Sequence, residues 1–223
     1  MRKSKPDIIR IYDAIAENFD ATRNYPWPDI KKFSEILSPG QLVLDLGCGN
    51  GRDIRFLEEK GLRVVGLDFS IGQLASVQKR ANDSPLLVMG DVVQLPFRGS
   101  IADAVLLSAV LHHIPQAGER VMALNEAYRC LKPGGLCLTG VWSAEQKKFK
   151  DNLAQAKIEF QHEWEPGDAI LDWSMLDGRI FQRYYHLFTE KEFGKLLAAT
   201  DFTVQESWFS ADNHYAVLRK EES

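Results

Sequence analysis

The stretch "LVLDLGCGNG", Leu42–Gly51, decides how the rest of the chain is read. Its first residues read as a short buried strand, and Gly47, Gly49 and Gly51 follow directly. Next comes "RDIRFLEEKG", a helix closed by Gly61. Glycines at a strand-to-helix junction let the backbone turn sharply and approach a ligand without a side chain in the way. A dinucleotide fingerprint, GxGxxG, would need glycine where Arg52 stands, so the pattern here is GxGxG. Asp45, two residues before the first glycine, serves a pyrophosphate poorly. A ligand with a cationic ammonium suits it.

Outward from that loop, strands and helices alternate. "RVVGLD", "PLLVMGD", "ADAVLLSAV" and "LCLTGVW" read as strands. "SIGQLASVQKRAN" is a helix with a capping box from Ser70 and Gln73, and "GERVMALNEAYRCL" is a helix stopped by "KPGG". Such alternation predicts a parallel sheet with helices on both faces. Upstream, "KPDIIRIYDAIAENFD" repeats Ile8, Ile11/Tyr12, Ile15 and Phe19 at helical spacing. "PWPDIKKFSEIL" is a second helix opened by Pro28, and "DATRNYPWP" joins the two.

After Trp142 the rhythm loosens. Residues 144–162 predict a polar, lysine-rich helix, and residues 163–182 show little periodicity. Thr189 and Glu192 cap a final helix, and "FTVQESWFS" and "HYAVLRK", separated by "ADN", form an antiparallel hairpin. The expectation is one α/β domain over residues 1–223. Residues 1–40 form a helical cap and residues 143–188 an insertion on the substrate side.

The totals set bounds. A chain of 223 residues, 45% hydrophobic and 26% charged, can bury a large core. It has no run of the roughly 18 to 20 apolar residues that a membrane span needs. The basic start meets Pro6 and Asp7 instead of an apolar signal core. Three scattered cysteines, Cys48, Cys130 and Cys137, make neither a disulfide framework nor a zinc pattern. Together these predict a cytoplasmic protein without a membrane partner. A net charge of −4 argues against binding nucleic acid through phosphate contacts alone.

Asp68 ends the second strand, about twenty residues past the first glycine, where a carboxylate can accept both hydroxyls of a ribose. Asp91 ends the third strand beside Val92 and could accept from an adenine amine. The set "DLGCGNG", "GLDFS", "GDVVQLPF" and "LKPGG" resembles the class I S-adenosylmethionine-dependent methyltransferases. The resemblance implies a three-layer, Rossmann-like fold with seven mostly parallel strands and the last strand antiparallel. It implies S-adenosylmethionine as cofactor, with Gly47, Gly49 and Gly51 against it and Asp45 near its amino-acid end. Asp68 would take the ribose, and Asp91 and Val92 the adenine. Tyr12, Phe69 and Ser108 are expected on the cofactor side as well.

Four stretches could face the transferred methyl group: "TRNYPWP", "VLHHIP", "GVW" and "RYYHLF". His112 and His113 could act as bases or simply pack under their loop. Trp142 and Trp173 could be core or site. Arg23, Arg179 and Arg183 suit planar recognition of a carboxylate or phosphate. "RYYHLF", with "TRNYPWP", "GCGNG", "HH" and "LDW", resembles the tRNA wobble-uridine methyltransferases that esterify a 5-carboxymethyl group, including the methyltransferase domain fused to AlkB-type tRNA hydroxylases. That resemblance implies an acceptor pocket of Arg23, His112, His113, Arg183, Tyr184, Tyr185 and His186, with Trp27, Trp142 and Trp173 contributing. Arg23, His113, Arg183 and Tyr185 would stand closest to the chemistry. No metal site is patterned.

A carboxylate is already ionised at neutral pH, its pKa being about 4, and needs no general base. Arginines with few candidate bases suit it. The alternatives are a small-molecule carboxyl- or hydroxyl-methyltransferase and a cofactor-binding scaffold without catalysis. The resemblance also implies two partners: a tRNA anticodon loop, and a small zinc-ribbon activator protein along the exposed edge "PLLVMGD".

Overall fold

The computed structural model describes residues 4–23, 25–80, 85–159 and 164–222. Helix α1 (Lys5–Thr22) starts from a reciprocal cap between Ser4 and Asp7, and α2 (Pro28–Ser34) starts from its proline. Then follow β1 (Leu42–Leu46), α3 (Arg52–Glu59), β2 (Arg63–Asp68), α4 (Ile71–Arg80), β3 (Leu86–Met89) and β4 (Ala102–Ser108). The second half holds α5 (Ala117–Cys130), β5 (Leu131–Trp142), α6 (Lys150–Glu159), β6 (Asp168–Ser174), β7 (Ile180–His186), α7 (Glu190–Ala198), β8 (Thr203–Ser210) and β9 (Asn213–Arg219).

Seven strands form one sheet in the order β3-β2-β1-β4-β5-β9-β8. The pairs from β3 to β5 are parallel, while β9 runs antiparallel to both neighbours. This is the expected Rossmann-like sheet with an inverted last strand. Along β4, Ala104 and Leu106 pack with Phe33, Ile54 and Leu57 from α2 and α3. Val105 and Leu107 pack with Leu124 and Leu197 from α5 and α7. Successive residues thus enter different cores, which is why the strand reads as a continuous apolar run. The strand order reverses between β1 and β4, and a crevice opens there at the strands' C-terminal ends.

Ala211 (φ 47°) and Asp212 (φ 63°) make the two-residue turn between β8 and β9, matching the strands' right-handed twist. Both expected capping boxes are half built. Gln73 N–H donates to Ser70 Oγ, yet the Gln73 amide turns to the Tyr12 carbonyl. Glu192 N–H donates to Thr189 Oγ1, yet the Glu192 carboxylate turns to His186.

The expectation of an unpatterned stretch over 163–182 is corrected. Strands β6 and β7 pair antiparallel there as a separate two-stranded sheet. This hairpin buries Asp168 and His186 on one face and Arg183 on the other, so both faces carry buried polar letters and hide the alternation. The polar helix starts later than expected, with a 3-10 turn at Lys147–Phe149 before α6. The second helix tightens past Ser34, where Ile36 and Leu37 N–H bond back three residues. The predicted extension of α4 to Asn82, the end of the polar helix at 160–162, Asn24 of the inter-helix loop, and basic Arg2 and Lys3 lie outside the described residues. No described helix is long and apolar enough to cross a membrane.

Candidate active site

The glycine loop is pinned from β2: Gly47 and Cys48 N–H both donate to the Leu67 carbonyl. Gly49 has a φ of 52°, and a Cβ there would meet only the Phe19 ring at 3.6 Å and Gln73 at 3.9 Å, both on the wall of the crevice. A side chain at this position would point into the space a ligand needs. Gly51 differs. Its Cβ would stand 2.7 Å from Val77 Cγ1 of α4, so this glycine permits helix packing and does not border the crevice.

Asp68 is buried at the end of β2, with one oxygen accepting Gly49 N–H and the other Ser70 N–H, each at 2.9 Å. Burial raises its pKa to about 6 against the pull of those backbone donors. Each oxygen keeps a second lone pair for a ligand hydroxyl. Asp91 accepts from Val93 N–H at 3.1 Å and from Lys5 Nζ at 2.7 Å, so α1 supplies it with a cation. Asp45 lies under the loop and not on the wall. Its Oδ2 is buried without a hydrogen-bond partner, and burial, with Asp53 and Asp68 nearby, pushes its pKa well up. Carboxylates with lone pairs to spare behind a glycine cradle fit a ligand that brings hydroxyl and ammonium donors, as S-adenosylmethionine does.

Helix α1 covers the crevice, contributing Lys5, Ile8, Tyr12 and Phe19 to its wall. Asp13 ties it to the start of α4, accepting from Ser70 Oγ at 2.6 Å and Gly72 N–H at 3.0 Å. Phe69, Val92, Gly47 and Gly49 line the same space.

Beyond the loop the wall turns cationic and aromatic, with Arg23, Trp27, Arg52, His112, His113, Trp142, Arg183 and Tyr185. The Arg183 guanidinium stacks 4.5 Å from the Trp173 ring and 5.0 Å from Tyr185. It is buried, has no ion-pair partner among the described residues, and its Nε lacks a hydrogen bond. An unsatisfied buried donor costs about 1–3 kcal/mol, which ring stacking of about 0.5–2 kcal/mol offsets only in part. An anion would relieve it. Arg23 stacks on Phe19 and Trp173, and burial together with neighbouring Arg52 lowers its pKa.

The histidines are neutral. Burial and the Arg183 charge bring His113 down to about 3, and burial, with His113 second, holds His112 well below the usual range. His113 Nε2 meets Tyr12 Oη at 3.0 Å. His112 lies flat on Tyr185 at 5.2 Å and accepts Trp142 N–H, leaving Nε2 unpaired. Groups this weakly basic cannot deprotonate an alcohol at neutral pH. Trp142 combines both readings offered for it: it stacks between Tyr185 (4.7 Å) and Phe149 (5.5 Å) and also faces the crevice.

Several expected site residues lie elsewhere. Tyr184 and His186 are corrected, because alternation along β7 turns Arg183 and Tyr185 to the crevice and these two to the opposite side. Tyr184 Oη donates to Asp168 at 2.5 Å, and His186 lies between Asp168 and Glu192. Ser108 sits by Gly140 under the wall. Trp173 backs Arg183 and donates to Asn18 Oδ1 at 2.9 Å without bordering the crevice itself. Arg179 is exposed and paired with Asp177. Of the residues missed, Ile8 and Phe19 belong to the helical period read for α1, which does not tell a ligand from a core, and Lys5 lies one turn before Ile8. Arg52 directly follows the third glycine, and that position was the available signal.

A family model described as a methyltransferase domain matches residues 44–139. The tRNA (carboxymethyluridine(34)-5-O)-methyltransferase of Schizosaccharomyces pombe is 27% identical over 224 residues, covering 96% of each chain. A relative from Encephalitozoon cuniculi that carries a methyltransferase name is 34% identical over 96% of this chain and 95% of its own. The Arabidopsis thaliana protein named as the S. pombe enzyme is 37% identical over 150 residues, and the match spans 36% of that longer protein. Among solved structures, an S-adenosylmethionine-dependent methyltransferase of Methanosarcina mazei superposes with a TM-score of 0.74 at 20% identity, over 89% of this chain and all of that one. The Haloferax volcanii chain solved with the Trm112 methyltransferase activator superposes with a TM-score of 0.71 at 17% identity, over 97% and 98%.

Proposed function

The chain belongs to the S-adenosylmethionine-dependent methyltransferases, and from that premise we propose that it esterifies the 5-carboxymethyl group of the wobble uridine in tRNA. The bound cofactor supplies an electrophilic methyl group. Gly47 and Gly49 would leave room for it, Asp68 would accept its ribose hydroxyls, Asp91 and Val92 would border its base, and Asp45, from beneath the loop, would ionise in response to its ammonium.

The observation that carries the acceptor is Arg183, a buried cation without a carboxylate, set beside two histidines that are neutral. Arg183 and Arg23 hold an anionic oxygen, and Tyr185, Trp142 and Trp27 exclude water around it. An acceptor that arrives ionised needs no proton removed, and the two histidines of the wall are not equipped to remove one. The curated relative that matches along nearly its whole length bears the name of this reaction.

Helices α1 and α2 and residues 143–188 serve as the cover of the substrate side, and the tRNA anticodon loop is the macromolecular substrate. A small activator of the Trm112 kind covers the β3 edge, where Leu86 is 62% and Met89 64% exposed.

Arg183→Ala tests the reading. With labelled cofactor and tRNA, transfer falls by about 10- to 100-fold, the equivalent of roughly 1.4–3 kcal/mol, while S-adenosylhomocysteine affinity stays within about twofold. Normal turnover by the variant, or nuclease-resistant label in small metabolites, would reject it.

A further inference from the structure

His186 is fully buried, and both its ring nitrogens face carboxylates: Nδ1 meets Asp168 Oδ1 at 2.7 Å and Nε2 meets Glu192 Oε1 at 2.8 Å. A carboxylate only accepts, so each nitrogen must carry a hydrogen. A neutral imidazole has only one. The surroundings agree. Three acidic side chains, Glu165, Asp168 and Glu192, stand against one arginine, Arg120, whose guanidinium contacts Glu165. Tyr184 Oη adds a donor to Asp168, the Phe188 ring lies edge-on at 4.6 Å, and on the crevice side the His186 charge helps keep His112 neutral. Hydrogen bonds to Asp168 and Glu192 hold the His186 pKa above its ordinary value despite burial and Arg120. Glu165, Asp168 and His186 lie close enough together to suggest a metal site, but Arg120, Tyr184 and the ring hydrogens already use those oxygens.

The position of this cluster gives it a task. It joins β6 (Asp168), β7 (Tyr184, His186), α7 (Glu192) and α5 (Arg120). Arg120 also donates to the carbonyls of Ile114 and Pro115, both on the crevice wall. Strand β7 therefore has one face clamped to the core and the other, Arg183 and Tyr185, presented to the cup.

We infer that His186 is held as an imidazolium and acts as a positioning residue, locking from outside the cup the strand face that aims Arg183 and Tyr185 into it. The role rests on the proposal that the cup receives the acceptor; the charge state does not.

Two measurements on the full chain test this separately. With 15N-labelled histidine, both ring nitrogens of His186 show imidazolium shifts at pH 7.5, where an ordinary histidine, with a pKa of about 6.5, is mostly neutral. A neutral-tautomer pattern would overturn the charge state. Glu192→Gln keeps the side chain's shape and changes a partly exposed residue, so folding is expected to survive. In that variant the His186 titration moves to lower pH, and the alkaline limb of methyl transfer to tRNA moves with it. S-adenosylhomocysteine affinity stays within about twofold. A limb that stays at the parent position, or cofactor affinity that falls in parallel, would remove the positioning role. A parent chain that transfers nothing to tRNA would reject the acceptor reading and that role together, while leaving the nitrogen shifts to stand.

Discussion

At the scale of single residues, Asp68 shows how burial becomes a measurable pH dependence. Its folded pKa of about 6 lies above the roughly 3.9 of an exposed aspartate. The ligand-free fold therefore binds more protons than the unfolded chain between those values and loses stability as pH rises through them. Ribose hydroxyls reverse the preference, because they donate to the ionised form. S-adenosylhomocysteine affinity measured by calorimetry should fall about tenfold from pH 7.5 to pH 5, as only about a tenth of Asp68 stays ionised. Asp68→Asn should bind weakly throughout, with that step gone; a step of equal size in the variant would assign it to another group. The carboxylate was legible as a strand-end acid twenty or so residues past the first glycine. Its hydrogen bond to Gly49 was not, because a backbone donor leaves no letter in the sequence. The same limit separated Gly49 from Gly51: the spacing announces both, but only the neighbour Val77 reveals that Gly51 serves packing.

At the scale of elements, α1 was visible as a helix, yet its apolar stripe could not say what it faces. Ile8, Tyr12 and Ile15 recur at helical period whether they cover a core or a ligand. In the fold they pack with Tyr184, and Ile8 and Tyr12 also border the crevice. What docks the helix is polar: Asp13 bonds Ser70 Oγ and Gly72 N–H at the start of α4, positions 57 and 59 residues away. Removing those bonds costs about 1–3 kcal/mol locally. Asp13→Ala should speed amide exchange across Lys5–Thr22 while leaving β1 and β4 as protected as before. It should also weaken S-adenosylhomocysteine binding, although Asp13 touches none of the crevice. Unchanged exchange in α1 would show that its apolar face alone holds it. The hairpin of β6 and β7 gives the complementary lesson. "RYYHLF" stood out chemically, and the remark that alternate residues would face opposite ways is what the strand does. Its partner strand went unread because Asp168 is buried by pairing with His186 and Tyr184, which hydropathy counts as exposure.

At the scale of the whole molecule, the sheet's centre was written in apolar runs and its two rims in different terms. The β8 rim is guarded. Lys32 pairs with Glu206, Trp208 is tied to Asp29, and a register shift between Val204 and Glu206 breaks the ladder. These are the usual defences of an edge strand. The β3 rim has none of them: its four residues, "LLVM", carry no charge, and Leu86 and Met89 lie more than half exposed. An unguarded apolar edge on a chain with net charge −4 is a surface that needs covering. Introducing Leu86→Lys with Met89→Lys should leave the core intact, since neither side chain enters it, and so leave the unfolding midpoint nearly unchanged. In sedimentation experiments the parent chain alone should self-associate with rising concentration, and the double variant should stay monomeric. If an activator of the Trm112 kind covers this edge as proposed, it should bind the parent and fail to bind the variant. If the parent stays monomeric throughout and the doubly charged chain still captures the activator, the partner sits on another face.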